Sequence, residues 1–433
     1  MAPEPMAAKT ATTATPTPAP MLQRLGPGLI TGAADDDPSG IATYSQAGAQ
    51  FGLGMVWSVL LTTPLMVGIQ IVSARIGRVS GHGLARNLRD HYPRPLLWGI
   101  VSLLCIANTL NIAADIGAMG EAMRLVLGGR PHVYVVLFGV LVVAMQLLLP
   151  YSRLAPVLKW LTLSLFAYVG VVFFVKIPWR ELVVATIVPP IELTRDYLLL
   201  LVGVLGTTIS PYLFFWQASQ EVEEQRMVAG DEPLRFSPDN ARTHLRRIKV
   251  DTYIGMIFSN TIAFFIMLTA AVSLHTAGIQ DITSSAQAAE ALRPIAGDFA
   301  FVLFAAGIIG TGLLAVPVLA GSAAYAVAES MNWPIGHGLV PRHAKGFYAI
   351  ITVSTALGVL LGFTPIDPIK ALVATAVING VVAVPIMVVM MRMAVRPDIM
   401  GPFVITFRLR RLGWAATVAM AIAVAGMLVS YVV

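Results

Sequence analysis

Gly26-Pro27-Gly28-Leu29-Ile30-Thr31-Gly32-Ala33-Ala34-Asp35-Asp36-Asp37-Pro38-Ser39-Gly40 opens the first long apolar segment of the chain, which Ile41 onward continues. Three acids therefore sit where a bilayer would be. A carboxylate at that depth costs about 2.5–3.5 kcal/mol on insertion scales, so intramembrane acids mark ion paths or functional pairs. Pro38 removes a backbone donor and disfavours helical geometry at Asp37, and Gly40 loosens the backbone further. A helix interrupted here frees carbonyl oxygens beside a carboxylate, which is the ligand set of a bound cation. The plainer alternative is a kinked helix whose Asp side chains reach the membrane surface; three acids directly before a proline argue against it.

Composition fits that reading. Of the 433 residues, 57% are hydrophobic and only 12% charged, with mean hydropathy +0.76; soluble proteins carry roughly 25% charged residues. The chain is a polytopic membrane protein with the lipid bilayer as its partner. Residues 1–21 are rich in Pro, Ala and Thr and hold no apolar signal core, so they are expected to be a disordered cytoplasmic tail. Cys105 is the single cysteine, which leaves no internal disulfide or thiolate cluster. The net charge of +6 does not point to nucleic acid, because the basic residues lie between apolar runs and are explained by topology.

Eleven segments approach or exceed the ~18 apolar residues that cross a bilayer: 27–50, 55–77, 96–127, 131–150, 155–177, 197–219, 250–273, 298–327, 346–363, 367–391 and 411–432. With the N-terminus in the cytoplasm, the inner loops collect Arg75, Arg78, Arg86, Arg89, Arg242, Arg246, Arg247 and most other basic residues. The outer side keeps only Arg124, Arg130, Lys176, Arg180, Arg195, Arg293 and Lys370. That asymmetry predicts the cytoplasmic membrane, N-terminus inside and C-terminus outside.

A second interruption falls in the sixth span, at Gly206-Thr207-Thr208-Ile209-Ser210-Pro211-Tyr212. Five crossings separate Pro38 from Pro211, so two five-span halves have opposite orientation. Interrupted helices at corresponding positions of inverted halves point to a midplane transport site; a simple proline kink is the alternative. In the third span, Asn108, Asn111 and Asp115 share one face. They line a vestibule or hydrogen-bond neighbouring helices. Asn260 and Asn379 are further mid-span polar positions, each better read as interhelical glue when taken alone. The polar stretch from Gln220 to Asp251 reads as a cytoplasmic loop.

Other chemistry lacks its signatures. No Walker-type loop, His-Glu-x-x-His or Gly-x-Ser-x-Gly occurs, so no nucleotide cofactor is expected. All seven histidines lie in loops or at span ends, and 346–363 carries no charge within it.

Gly26-Pro27-Gly28, then Asp37-Pro38, Ala42-Thr43 and Gln46-Ala47-Gly48 resemble the first span of the Nramp divalent-metal transporters, whose signature here is Asp-Pro-Gly-Asn. The likeness continues through Gln70, Arg75, Gly77 and Gly81 of the second span and Pro211 of the sixth. It implies an all-α LeuT-like fold of the APC superfamily, with two inverted five-helix repeats, broken helices 1 and 6, and an eleventh helix. The corresponding segments are 22–180, 181–395 and 396–433.

The departures bear on the ion. Asp37 and Pro38 stand where the family has its metal-binding Asp and Pro, but Gly40 stands at the Asn. Ser210-Pro211-Tyr212 replaces Met-Pro-His. A thioether favours soft transition metals; an all-oxygen, roomier site suits a partly hydrated Mg²⁺. The family's proton path uses an acidic pair that falls on Asn111 and Ala114, one place from Asp115, together with the sixth-span His and ninth-span arginines. The pattern looks like the Nramp-related magnesium transporters, which move Mg²⁺ without coupled protons.

The expectation is a divalent-cation importer, for Mg²⁺ or else Mn²⁺, and not an enzyme. Asp37, Gly40, carbonyls near Ala34 and Thr207, and the Ser210 hydroxyl form the site, and Asp36, Pro38, Pro211, Tyr212 and Asn379 line it. The alternatives are a proton-coupled Mn²⁺/Fe²⁺ transporter of the same family, an amino-acid or organic-ion symporter of the same fold, and an intramembrane aspartyl protease using Asp37 and Asp115.

Overall fold

The computed structural model describes residues 27–148, 165–171, 173–228, 230–336, 339–364 and 366–432. The tail at 1–21 lies outside them, as does much of the fifth expected span, 155–177. The first span is two helices, α1 (Pro27–Asp35) and α2 (Pro38–Phe51), followed by α3 (Val56–Ser80), α4 (Leu84–His91), α5 (Arg94–Leu127) and α6 (Pro131–Leu148). Next come two short helices, α7 (Phe166–Val171) and α8 (Trp179–Ile187). The sixth span is again two helices, α9 (Arg195–Thr208) and α10 (Pro211–Met227). The longer helices of the rest are α11 (Ala241–Ala270), α12 (Ala300–Met331), α13 (Lys345–Leu361), α14 (Pro368–Met393) and α15 (Phe407–Val429). Among the described residues, eight helical stretches are long and apolar enough to cross a membrane, and α13 is a shorter apolar helix.

Both breaks follow from local chemistry. Asp37 is extended (φ −72°, ψ 170°), and its carboxylate accepts the Gly40 amide, while Pro38 takes the first helical position of α2. This is the N-cap Asp and N1 Pro combination that starts a helix, and Pro38 forbids helical geometry one residue earlier. Ser210 (φ −81°, ψ 131°) and Pro211 repeat the extended residue and N1 proline at the start of α10, without a side-chain cap.

The helices pack as two groups. α1, α2 and α3 lie against α10 and α11, with α9 on α2 and α3. α5 packs on α6, α12 and α13. α14 joins the groups by touching α9, α2 and α5. α15 lies on α3, α14 and α9, and its end places the Tyr431 ring 3.8 Å from the Arg195 guanidinium, at the face opposite the start of α1. Glycines set the closest approaches, because only a residue without Cβ lets two backbones touch. A Cβ at Gly206 would fall 2.1 Å from the Ala376 carbonyl, and one at Gly32 would fall 2.3 Å from the Gly255 backbone.

The polar stretch expected as a loop from Gln220 to Asp251 is instead helical at both ends, since α10 runs to Met227 and α11 begins at Ala241. Arg247 explains the correction: it pairs with Glu221 at 2.5 Å and Glu224 at 2.7 Å, drawing the two helix ends together. The same face is closed by Gln70 donating to Gln217 (2.6 Å), Ser73 donating to the Phe214 carbonyl (2.5 Å), and Tyr325 donating to Glu223. On the opposite face, a crevice of about 510 Å³ opens between α2, α9 and α14, edged by Gln46, Asp196, Asp281 and Lys370.

Candidate cation site at the paired helix breaks

The carboxylate of Asp37 is the centre of the site and is 1% exposed. Its Oδ1 accepts the Ser39 hydroxyl (2.7 Å) and the Gly40 amide (2.8 Å). Its Oδ2 accepts Asn111 Nδ2 at 3.0 Å, from α5, and the Tyr212 hydroxyl lies 3.5 Å away. That hydroxyl donates at 3.0 Å to the carbonyl of Ala34, in the last turn of α1. The first break and the start of α10 are thereby held together by one phenol. Helix C-terminal carbonyls carry partial negative charge, so Ala34 and Asp37 present oxygen and negative potential to one point.

Asp35 and Asp36 are turned elsewhere. Ser259 of α11 lies 2.6 Å from Asp35 Oδ2 and 3.0 Å from Asp36 Oδ1. Asp36, expected to line the site, is thus drawn toward α11. None of Asp35, Asp36, Asp37 or Asp115 takes part in an ion pair among the described residues.

The second break contributes less directly than its sequence suggests. The Ser210 hydroxyl reaches back to the Gly206 and Thr207 carbonyls, both at 2.8 Å. The expected Thr207 carbonyl therefore already accepts a hydrogen bond; the Thr207 hydroxyl oxygen is buried without one. A Cβ at Gly40 would meet that oxygen at 3.0 Å and the Tyr44 ring at 3.3 Å, so the volume an Asn side chain would need is already filled. Asn379 of α14 is fully buried with both amide atoms unpartnered, next to Gly380, where α9 and α14 touch.

The third-span stripe divides. Asn111 joins the site. Asn108 takes the other of the two roles expected for the stripe, donating to the Leu319 carbonyl (2.9 Å) and the Ser322 hydroxyl (2.7 Å) of α12. Asp115 is fully buried, and neither of its oxygens has a hydrogen-bond partner. Asn260 links α11 to α3 through the Thr63 hydroxyl at 3.1 Å.

Three contributors escaped the sequence reading. Ser259 lies beside Asn260 and has no signal of its own. Ser39 would have been visible as a hydroxyl two residues from an N-cap Asp. Asp251 accepts the Gly28 amide at 2.6 Å, satisfying a donor in the first turn of α1.

A sequence profile described as natural resistance-associated macrophage protein-like, Nramp, matches residues 28–430. The chain belongs to the Nramp family. Its relatives include the divalent metal cation transporter MntH of Klebsiella pneumoniae, 28% identical over 417 residues and covering 94% of each chain. Among solved structures, a variant of the Eremococcus coleocola manganese transporter matches with TM-score 0.73 and 16% identity, covering 97% of this chain and 89% of that one. Mhp1, a nucleobase-cation-symport-1 family transporter, matches with TM-score 0.55 and 13% identity over 94% of this chain and 92% of its own. The fold of this chain is LeuT-like, and among the described residues it carries the paired breaks of α1–α2 and α9–α10.

Proposed function

We propose that this Nramp chain imports a divalent metal cation by alternating access, with Mg²⁺ as its first cargo and Mn²⁺ next. The observation that carries the reading is the junction of the Asp37 carboxylate and the Ala34 carbonyl under the Tyr212 hydroxyl: negative charge and oxygen meet at a broken helix. Asp37 supplies the charge, and the Ala34 carbonyl and the Thr207 and Ser210 hydroxyls supply neutral oxygens. Gly40, Pro38, Pro211 and Asn379 shape the space around them.

The chemistry of these groups supports Mg²⁺. Ser210 stands where the family has a thioether, and an oxygen-only site gives soft metals no advantage. Asn111, Ala114, Tyr212 and the charge-free stretch 346–363 replace the family's proton relay, so uptake proceeds without protons carried by that route. A substrate carboxylate would be repelled by Asp37, which disfavours an amino-acid cargo. In the cycle, α1, α2, α3, α9, α10 and α11 rock against α5, α6, α12 and α13. The repeats span 22–180 and 181–395, followed by 396–433, and the basic loops put the N-terminus inside the cytoplasmic membrane.

The test is uptake into proteoliposomes with Mg²⁺, Mn²⁺ and Ca²⁺ in competition and internal pH recorded. The expected result is Mg²⁺ uptake inhibited by Mn²⁺, without internal acidification, and abolished by Asp37→Ala. Wild-type rates in Asp37→Ala would remove Asp37 from the site.

A further inference from the structure

We propose that Asp115 is the second charged group of the cation site, so that the divalent ion is held between Asp37 at the first break and Asp115 on α5. The proposal rests on the site reading above and adds a ligand to it.

Helix α5 runs along the break. Asn111 donates to Asp37 Oδ2 at 3.0 Å. Asp115 is one turn further on the same face, near Asp37 and near the Ser39 backbone amide, which does not reach hydrogen-bond geometry with it. One more turn brings Met119 beside Pro38: a Cβ at Gly312 would meet Met119 Sδ at 2.5 Å and Pro38 Cγ at 3.4 Å. Residues 111, 115 and 119 therefore track residues 37–39.

Asp115 is 0% exposed, and both its oxygens lack hydrogen-bond partners. A bare buried carboxylate is among the costliest groups a membrane protein can hold. An independent group points the same way. The Asn111 Oδ1 atom is also buried and unpartnered, while its own Nδ2 is anchored on Asp37. Three oxygens of α5 thus stand unclaimed beside the central carboxylate.

Charge gives the reason. A divalent ion on Asp37 alone leaves a net positive charge in the bilayer core, whereas Asp37 with Asp115 brings the sum to zero. Asp35 and Asp36 each turn one oxygen to Ser259 of α11 and keep the other unpartnered, on the α11 side of the break rather than beside α5. The family's acidic pair falls on Asn111 and Ala114, so Asp115 has a register of its own.

The test compares the full-length wild type with Asp115→Asn, Asp115→Glu and Asp37→Ala. It measures melting temperature with and without Mg²⁺, and the concentration dependence of Mg²⁺ uptake into proteoliposomes. Asp115→Asn is expected to melt no lower than wild type without metal, because it loses a bare charge. It is also expected to need at least tenfold more Mg²⁺ for uptake and for thermal stabilisation, with Asp115→Glu recovering part of the loss. Wild-type Mg²⁺ dependence in Asp115→Asn, alongside inactive Asp37→Ala, overturns this proposal and leaves the site reading intact. Asp115→Asn that melts lower without metal, or that cannot be recovered folded, makes Asp115 structural and also overturns it. Wild-type behaviour of Asp37→Ala overturns the site reading itself.

Discussion

The Tyr212 hydroxyl donates to the Ala34 carbonyl at 3.0 Å, across the seam between α10 and α1. Both residues are at most 1% exposed, so the contact is dry, and Tyr212→Phe leaves a buried carbonyl with one partner fewer. Such a loss costs about 1–3 kcal/mol. The metal-free variant is therefore expected to melt several degrees below wild type. If Ala34 faces the cation, saturating Mg²⁺ narrows that gap, because the ion takes up the freed oxygen. Thermal melts of the purified chain with and without Mg²⁺ measure this, and an equal deficit in both conditions removes Ala34 from the ligand set.

Ser210 is the position where a single atom type should decide the ion. Its hydroxyl is spent on the Gly206 and Thr207 carbonyls, leaving only lone pairs toward the site. Ser210→Met introduces a polarizable sulfur that favours Mn²⁺ and Cd²⁺ over Mg²⁺. Competition uptake should shift toward the softer ions by about tenfold, equivalent to about 1.4 kcal/mol. An unchanged Mg²⁺/Mn²⁺ ratio in an active variant means the side chain at 210 does not face the ion.

What the sequence disclosed and what it hid divide along physical lines. The breaks at Pro38 and Pro211 were legible because proline acts on its own residue and the one before it, a purely local effect. Asn111 was legible through helical spacing. Spacing alone could not separate it from Asn108: they lie one turn apart, yet one meets Asp37 and the other meets Leu319 and Ser322. The clamp of Ser259 on Asp35 and Asp36 and the cap of Asp251 on Gly28 join residues more than 220 positions apart. Only helix packing creates those pairs. The direction of the Ser210 hydroxyl is a rotamer choice that no pattern of residue types encodes.

The seam between α1 and α11 makes the last prediction. Gly28 is held by Asp251 at 2.6 Å, and a Cβ at Gly32 would strike the Gly255 backbone at 2.3 Å. No side chain can yield there, since the obstacle is main chain. Gly32→Val is therefore expected to lift α1 off α11 and open the site toward the face where α1 begins, which the Gln70–Gln217 and Ser73–Phe214 bonds otherwise seal. Thr31, fully buried on α1, can report the motion. In a Cys105→Ser background, which removes the only native thiol, Thr31→Cys should react with a water-soluble thiol reagent at least tenfold faster when Gly32→Val is added. Gly117→Ala, where a Cβ meets nothing within 4 Å, should leave the rate unchanged. A folded Gly32→Val protein whose Thr31→Cys stays protected would show that α1 is fixed and that some other element forms the inner gate.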